Sequence, residues 1–343
     1  MRSLWGALLI LAACGTDSGT ENEGWGTAKR ELAFGPYHLE GGEEVTEDCV
    51  QITLHNDDYI YLNAVELTTG PGFHHSNWFY VPETTFAGED GTYKCDDRNF
   101  NEPVAAIFGG VLFAQSTQAP HEVQKFPDGV VIKVPPHSKI VSQIHLLNPG
   151  DEPIDIHPTI AVQPIDEADV TTLLAGISFQ NQSLVLAPSS QSRFSVTCDL
   201  GAKHQELLGR APDFKIYYAL AHYHDLATKL TIDAIKDNGE EATVYTTENN
   251  VGDVLGGMLD PQFSMSGYTK LRMSCEFTNT RADTVRWGNG TGEMCVFLAF
   301  SDSTYNWGGG VNDESVTPIR GADDGSMQTW DSPCALFVGD ATR

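Results

Sequence analysis

From about residue 45 the chain alternates short apolar or period-two runs with clusters of Gly, Pro, Asn and Asp. CVQITLHN (49–56), AAIFGGVLFAQS (105–116), GVVIKVPP (129–136) and KIVSQIHLLNPG (139–150) come first. SLVLAPSSQSRFSVTCDL (183–200), FKIYYALAHYHDLATKLTIDAI (214–235), LRMSCEFTNT (271–280) and GEMCVFLAFSD (292–302) repeat the style. Runs of this length, bounded by turn formers, predict many short strands. No sustained 3.6-residue period competes. DEADVTTLLAGI (166–177) and AKHQELLGR (202–210) each suit a helical turn or two. The pattern predicts an all-β protein, most simply two tandem antiparallel β-sandwiches over residues 33–170 and 171–343, with the boundary in 166–180. A length of 343 residues suits two such domains and also admits one large β domain.

The N-terminus departs from this pattern. Arg2 precedes an apolar run of about ten residues and then Leu11-Ala12-Ala13-Cys14. The run is too short to span a bilayer permanently and suits a signal peptide over residues 1–13. The tetrad resembles a bacterial lipobox, which makes Cys14 the lipid-bearing first residue of the mature chain; a plain secretory signal is the alternative. Residues 14–32 are polar and Gly-rich, and read as a flexible tether. Gly15 after Cys14 is no inner-membrane retention Asp, so a lipid anchor in the outer membrane, facing periplasm or cell surface, is expected in a Gram-negative host. With Cys14 set aside, six cysteines remain of seven, an even set that suggests three disulfides in an exported protein. The net charge of −27 excludes sequence-independent binding to nucleic acid, and leaves the lipid as the only expected membrane contact.

Four of the eleven histidines fall in two tight pairs, His74/His75 and His222/His224. On a strand, His222 and His224 project from one face and can share a metal ion. Adjacent His74 and His75 share one only if the backbone bends, which Gly72 permits. His145 lies on an apolar strand with Gln143 on the same face. Met294 opens another apolar strand, where core filling is its ordinary role.

Taken in order, these motifs resemble the copper type II, ascorbate-dependent monooxygenases, the family of peptidylglycine α-hydroxylating monooxygenase and dopamine β-monooxygenase. The matching residues are His74-His75, then Gln143-Ile144-His145, then His222-Tyr223-His224, then Glu293-Met294-Cys295. The gaps are nearly even, at 145 − 75 = 70, 222 − 145 = 77 and 294 − 224 = 70 residues. The resemblance covers about residues 45–336 and implies jelly-roll-like sandwiches, each with a copper site, facing each other across a solvent-filled cleft. It implies two copper ions per chain. The copper on His74, His75 and His145 would supply an electron. The copper on His222, His224 and Met294 would meet dioxygen and oxidise a substrate C–H bond, with ascorbate or another reductant as co-substrate. A thioether beside two imidazoles favours Cu(I), which fits that role. Gln143 matches a position near the cleft that orients substrate or water. The implied disulfides are Cys49–Cys95, Cys275–Cys295 and Cys198–Cys334.

One part of the pattern is missing. The peptide-amidating member holds its substrate carboxylate with Arg, Asn and Tyr at positions that here are Leu220, Val296 and Leu298. A carboxylate there would be buried without a partner, which is costly. The expected function is therefore an exported dicopper hydroxylase acting on a neutral or apolar small molecule that is not a peptidylglycine. The alternative is a copper-binding or storage lipoprotein without oxygenase activity; a β-sandwich adhesin leaves the ordered ligand set unexplained.

Overall fold

A computed structural model describes residues 25–116, 118–311 and 313–341. The expected signal peptide and the lipidation site Cys14 lie outside these residues. The described chain is all-β. Three sheets carry it: one of eleven strands, one of five and one of six. The five-stranded sheet centres on Glu44–Thr53, Ser138–Leu147 and Phe73–Pro82, and the six-stranded sheet on Ala227–Ile235, Lys270–Asn279 and Ser190–Asp199. Alternation places Trp78 and Tyr80 of the first sheet, and Phe194, Met273 and Cys275 of the second, in apolar interiors.

Two hydrophobic cores form, one drawn mainly from residues 34–174 and the other from 177–338. The expected boundary segment is not a linker between them. Residues Thr172–Asn181 form a strand of the eleven-stranded sheet. Its first three residues pair with Val130–Val134 of the first half, and the rest pair with Val296–Ser301 and Tyr305–Val311 of the second. Neighbours on both sides explain its run of buried residues; the helical turn expected in 166–177 is the short 3-10 turn Glu167–Asp169 just before it. Tyr217, Tyr218, Leu298 and Phe300 from the second half also complete the first core.

Two local expectations are corrected. In AAIFGGVLFAQS only the second half is a strand, Gly110–Ala114. Glu102–Phe108 is a helix, started by Asn101, whose side chain accepts from the Val104 amide. Trp25 to Leu32, assigned to the tether, belong to the fold. Arg30–Ala33 pairs with Thr159–Ile165, and the Trp25 indole donates to the Leu54 carbonyl at 2.9 Å. The helix expected in AKHQELLGR is present as Leu200–Leu208, capped by Asp199.

The disulfides are Cys49–Cys95, Cys198–Cys334 and Cys275–Cys295, using six cysteines. Three such bonds place the chain in an oxidising, extracellular or periplasmic compartment. Among the described residues no helix is long and apolar enough to cross a membrane.

Candidate metal centre

The bend needed at His74 and His75 exists. Along Ser138–Leu147, His145 is opposite His75 but Leu146 is opposite Phe73, so His74 is the extra residue of a β-bulge. A bulge turns neighbouring side chains toward one face, which a regular strand forbids. Gly72 enters it with φ +85°, and a Cβ there would lie 2.3 Å from Ile154 Cδ1, so only glycine fits. The facing strand is also irregular: Ile144 pairs with Asp48 but Leu146 with Val45, which lets His145 turn toward His74 and His75. His222 ends the strand Lys215–His222, opposite Val296. Tyr223 points away into the second core, its hydroxyl donating to the Asn249 carbonyl, while His224 returns to the side of His222.

These elements bring all six expected ligands together. The ligand nitrogens of His74, His75 and His145 lie within 4.8 Å of one another, as do those of His75, His222 and His224. Met294 Sδ is 3.2 Å from His222 Nε2. The two sets are not held apart by solvent. The His75 and His222 rings are 4.4 Å between centroids and the His74 and His145 rings 4.3 Å. The expected gap is corrected accordingly: His75 packs ring to ring on His222. A cavity of about 610 Å³ does lie between the two halves, with His75, His145, His222 and Met294 on its wall.

Burial makes the five imidazoles neutral. It lowers His74 from 6.5 to about 3 and holds His75 and His222 well below the ordinary value. His145 and His224 are lowered too, by burial first, against the opposing pull of Glu44 and the Gly292 carbonyl. Neutral imidazole is the ligand form. Among the described residues, His74 Nδ1, both ring nitrogens of His75, His145 Nδ1 and His224 Nε2 are buried without a hydrogen-bond partner. Each such atom costs about 1–3 kcal/mol, so five approach the whole net stability of a domain. A bound metal ion would relieve that cost.

The opposite ring edges are tied down, as metal-ligating imidazoles require. His145 Nε2 donates to Glu44 Oε1 at 2.8 Å, leaving Nδ1 as the free lone pair. His224 Nδ1 donates to the Gly292 carbonyl at 3.0 Å, leaving Nε2 free. The Gln118 carboxamide lies 3.1 Å from His74 Nε2. Glu293 is 0% exposed and clamps the second set: its oxygens accept from the amides of His224 at 3.2 Å and Leu226 at 2.7 Å. Burial pushes its carboxyl up to about 7. Sequence reasoning did not find Glu44 and Gln118. Neither lies within a motif, and each reaches its histidine only through sheet register or a loop. Glu293 had a visible signal in its place before Met294.

No described protein family and no curated protein matches the chain. Among solved structures, PBSX exported protein XepA is similar over 79% of this chain and 86% of its own, at 8% identity and a TM-score of 0.21. The VP2 subviral particle of infectious bursal disease virus is similar over 80% and 72%, at 12% and 0.22. The tandem CBM22 domain of Paenibacillus barcinonensis Xyn10C is similar over 80% and 91%, at 10% and 0.20. Likenesses this slight carry no argument about the site.

Gln143, Val296 and Leu298 line the cavity beside His75, His145, His222 and Met294, whereas Leu220 is fully buried. Among the described residues, no lysine or arginine lines it.

Proposed function

We propose that this chain is an exported dicopper monooxygenase that hydroxylates a C–H bond of a small, non-peptidylglycine substrate, using dioxygen and a reductant such as ascorbate. The observation that carries the reading is the cluster of buried, neutral imidazoles, four with unpartnered ring nitrogens and the fifth, His222, against the Met294 thioether, beside a cavity large enough for a small molecule. His74, His75 and His145 would hold one copper, and His222, His224 and Met294 the other. Bound there, two copper ions would supply two electrons, restored by the reductant, so that dioxygen with two protons from solvent would yield the hydroxylated product and one water.

The chain's own residues prepare that chemistry. All-nitrogen and nitrogen-thioether donor sets suit copper in its two oxidation states, and the thioether favours Cu(I). Glu44 and the Gly292 carbonyl fix which nitrogen of His145 and His224 is presented. Glu293 keeps the His224 backbone and Met294 in one rigid unit. Val296 and Leu298 exclude water from the wall next to Met294, and Gln143 is placed to orient substrate or water. An N-terminal lipid on Cys14 would hold the enzyme at the outer membrane.

The test is to load purified protein with copper, count the ions, and follow ascorbate-dependent oxygen uptake with a substrate panel. Two ions and product formed in step with oxygen consumed support the enzyme. Stoichiometric copper with only uncoupled peroxide would support the storage lipoprotein instead.

A further inference from the structure

Beside the expected ligands the cavity carries two carboxamides, Asn77 and Gln143, of which only Gln143 has a place in the proposed chemistry. Asn77 lies two residues after His75 on Phe73–Pro82, Gln143 two before His145 on Ser138–Leu147, and they are directly opposite in register. With a side-chain period of two, this pair shares the cavity face with His75 and His145, one step further from the bulge. Asn77 is 8% exposed, and its Oδ1 has no hydrogen-bond partner. Its amide group is engaged by the Glu102 carboxyl. The Gln143 amide donates one N–H to the Thr46 carbonyl at 2.6 Å, which leaves its oxygen and its second N–H. Each strand therefore carries a carboxamide oxygen without a partner in the fold, with the Glu102 carboxyl behind Asn77.

An anion beside this pair would face the Asn77 oxygen and the Glu102 carboxyl, and among the described residues no lysine or arginine lines the wall to offset its desolvation. A donor group would satisfy the buried Asn77 oxygen. Burial pushes the Glu102 carboxyl up to about 7, so near neutral pH that group is only partly ionised and is not a full counter-ion for an ammonium. Phe79, Phe100 and Trp287 add apolar surface for the body of such a ligand.

We propose that Asn77 and Gln143, backed by Glu102, form a subsite that binds a hydroxyl or carboxamide N–H of a neutral substrate and fixes it beside the imidazole cluster. This rests on the cavity being the substrate pocket of the proposed oxygenase. The subsite is read by binding, so its failure and that of the oxygenase reading are distinguishable.

Calorimetric titration of the copper-loaded full chain with phenylpropanamide, phenylpropanol, phenylpropanoate, phenylpropylamine and propylbenzene tests it. The amide and alcohol should bind about tenfold or more tighter than the carboxylate, the scale of one hydrogen bond to a buried acceptor. Asn77→Leu should remove about tenfold of the amide's advantage over propylbenzene while copper content stays unchanged. Asn77→Asp should shift the preference to the amine, and decides the matter where the Leu variant does not fold. Tighter binding of the carboxylate or amine than of the amide by the native chain would overturn the subsite. So would an amide-to-propylbenzene ratio that Asn77→Leu or Asn77→Asp leaves unchanged. Intact selectivity without coupled oxygen uptake would overturn the oxygenase reading alone.

Discussion

Replacing Glu293 by alanine should be among the most damaging single changes near the cluster. Its carboxyl is fully buried and accepts from the Leu226 amide at 2.7 Å, the His224 amide at 3.2 Å and the Met294 amide. Those three donors come from the two segments that carry His224 and Met294. Glu293→Ala leaves them buried and unpaired, each at about 1–3 kcal/mol, less whatever water can enter. A loss of about 3–6 kcal/mol of unfolding free energy follows. Glu293→Gln keeps one acceptor oxygen but turns an amide N–H toward another donor, and should cost about 1–3 kcal/mol. Urea unfolding of the copper-free, disulfide-intact chain, followed by circular dichroism, reads both. A Glu293→Ala loss below about 1 kcal/mol would refute the clamp.

Met294→Ile should abolish ascorbate-dependent hydroxylation while copper stays on His74, His75 and His145; turnover that survives the change would contradict the assignment of the oxygen-binding site. Replacing Cys275 and Cys295 together by serine opens a bridge with a sequence separation of 20 and should cost about 3 kcal/mol in thermal or urea unfolding, with weaker copper binding through the neighbouring Met294. The copper-free chain should lose stability in acid. The five imidazoles titrate below 6.5 in the fold, so under that pH the unfolded chain binds more protons and stability falls with pH. Glu102, Glu122 and Glu293, pushed up to about 7, act oppositely between 4.5 and 7. The decline should therefore steepen below about pH 4.5, where the carboxyl contributions are complete; urea midpoints unchanged from pH 4.5 to about 3.5 would contradict the neutral cluster.

Apolar and period-two runs marked strands such as Val130–Val134 and Ser190–Asp199, because these bury one or both faces of a sheet. They failed at Thr172–Asn181, whose two faces are both covered, and at Glu102–Phe108, where the signal is a cap at Asn101 and not a period. That the six expected ligands come together was legible from their types and order, and the need for a bend at His74 was legible from adjacent histidines after a glycine. What sequence could not supply was register. The contact of His75 with His222, the pairing of Asn77 with Gln143 and the reach of Glu44 to His145 are all products of which residue lies opposite which.

X-ray absorption of the ascorbate-reduced, copper-loaded chain tests the central claim most directly. Two copper ions per chain are expected, with a sulfur scatterer on one that disappears in Met294→Ile, and with nitrogen scattering from the other retained. A single copper, or two with no sulfur ligand, would contradict the division of the cluster into an all-imidazole site and an imidazole-thioether site.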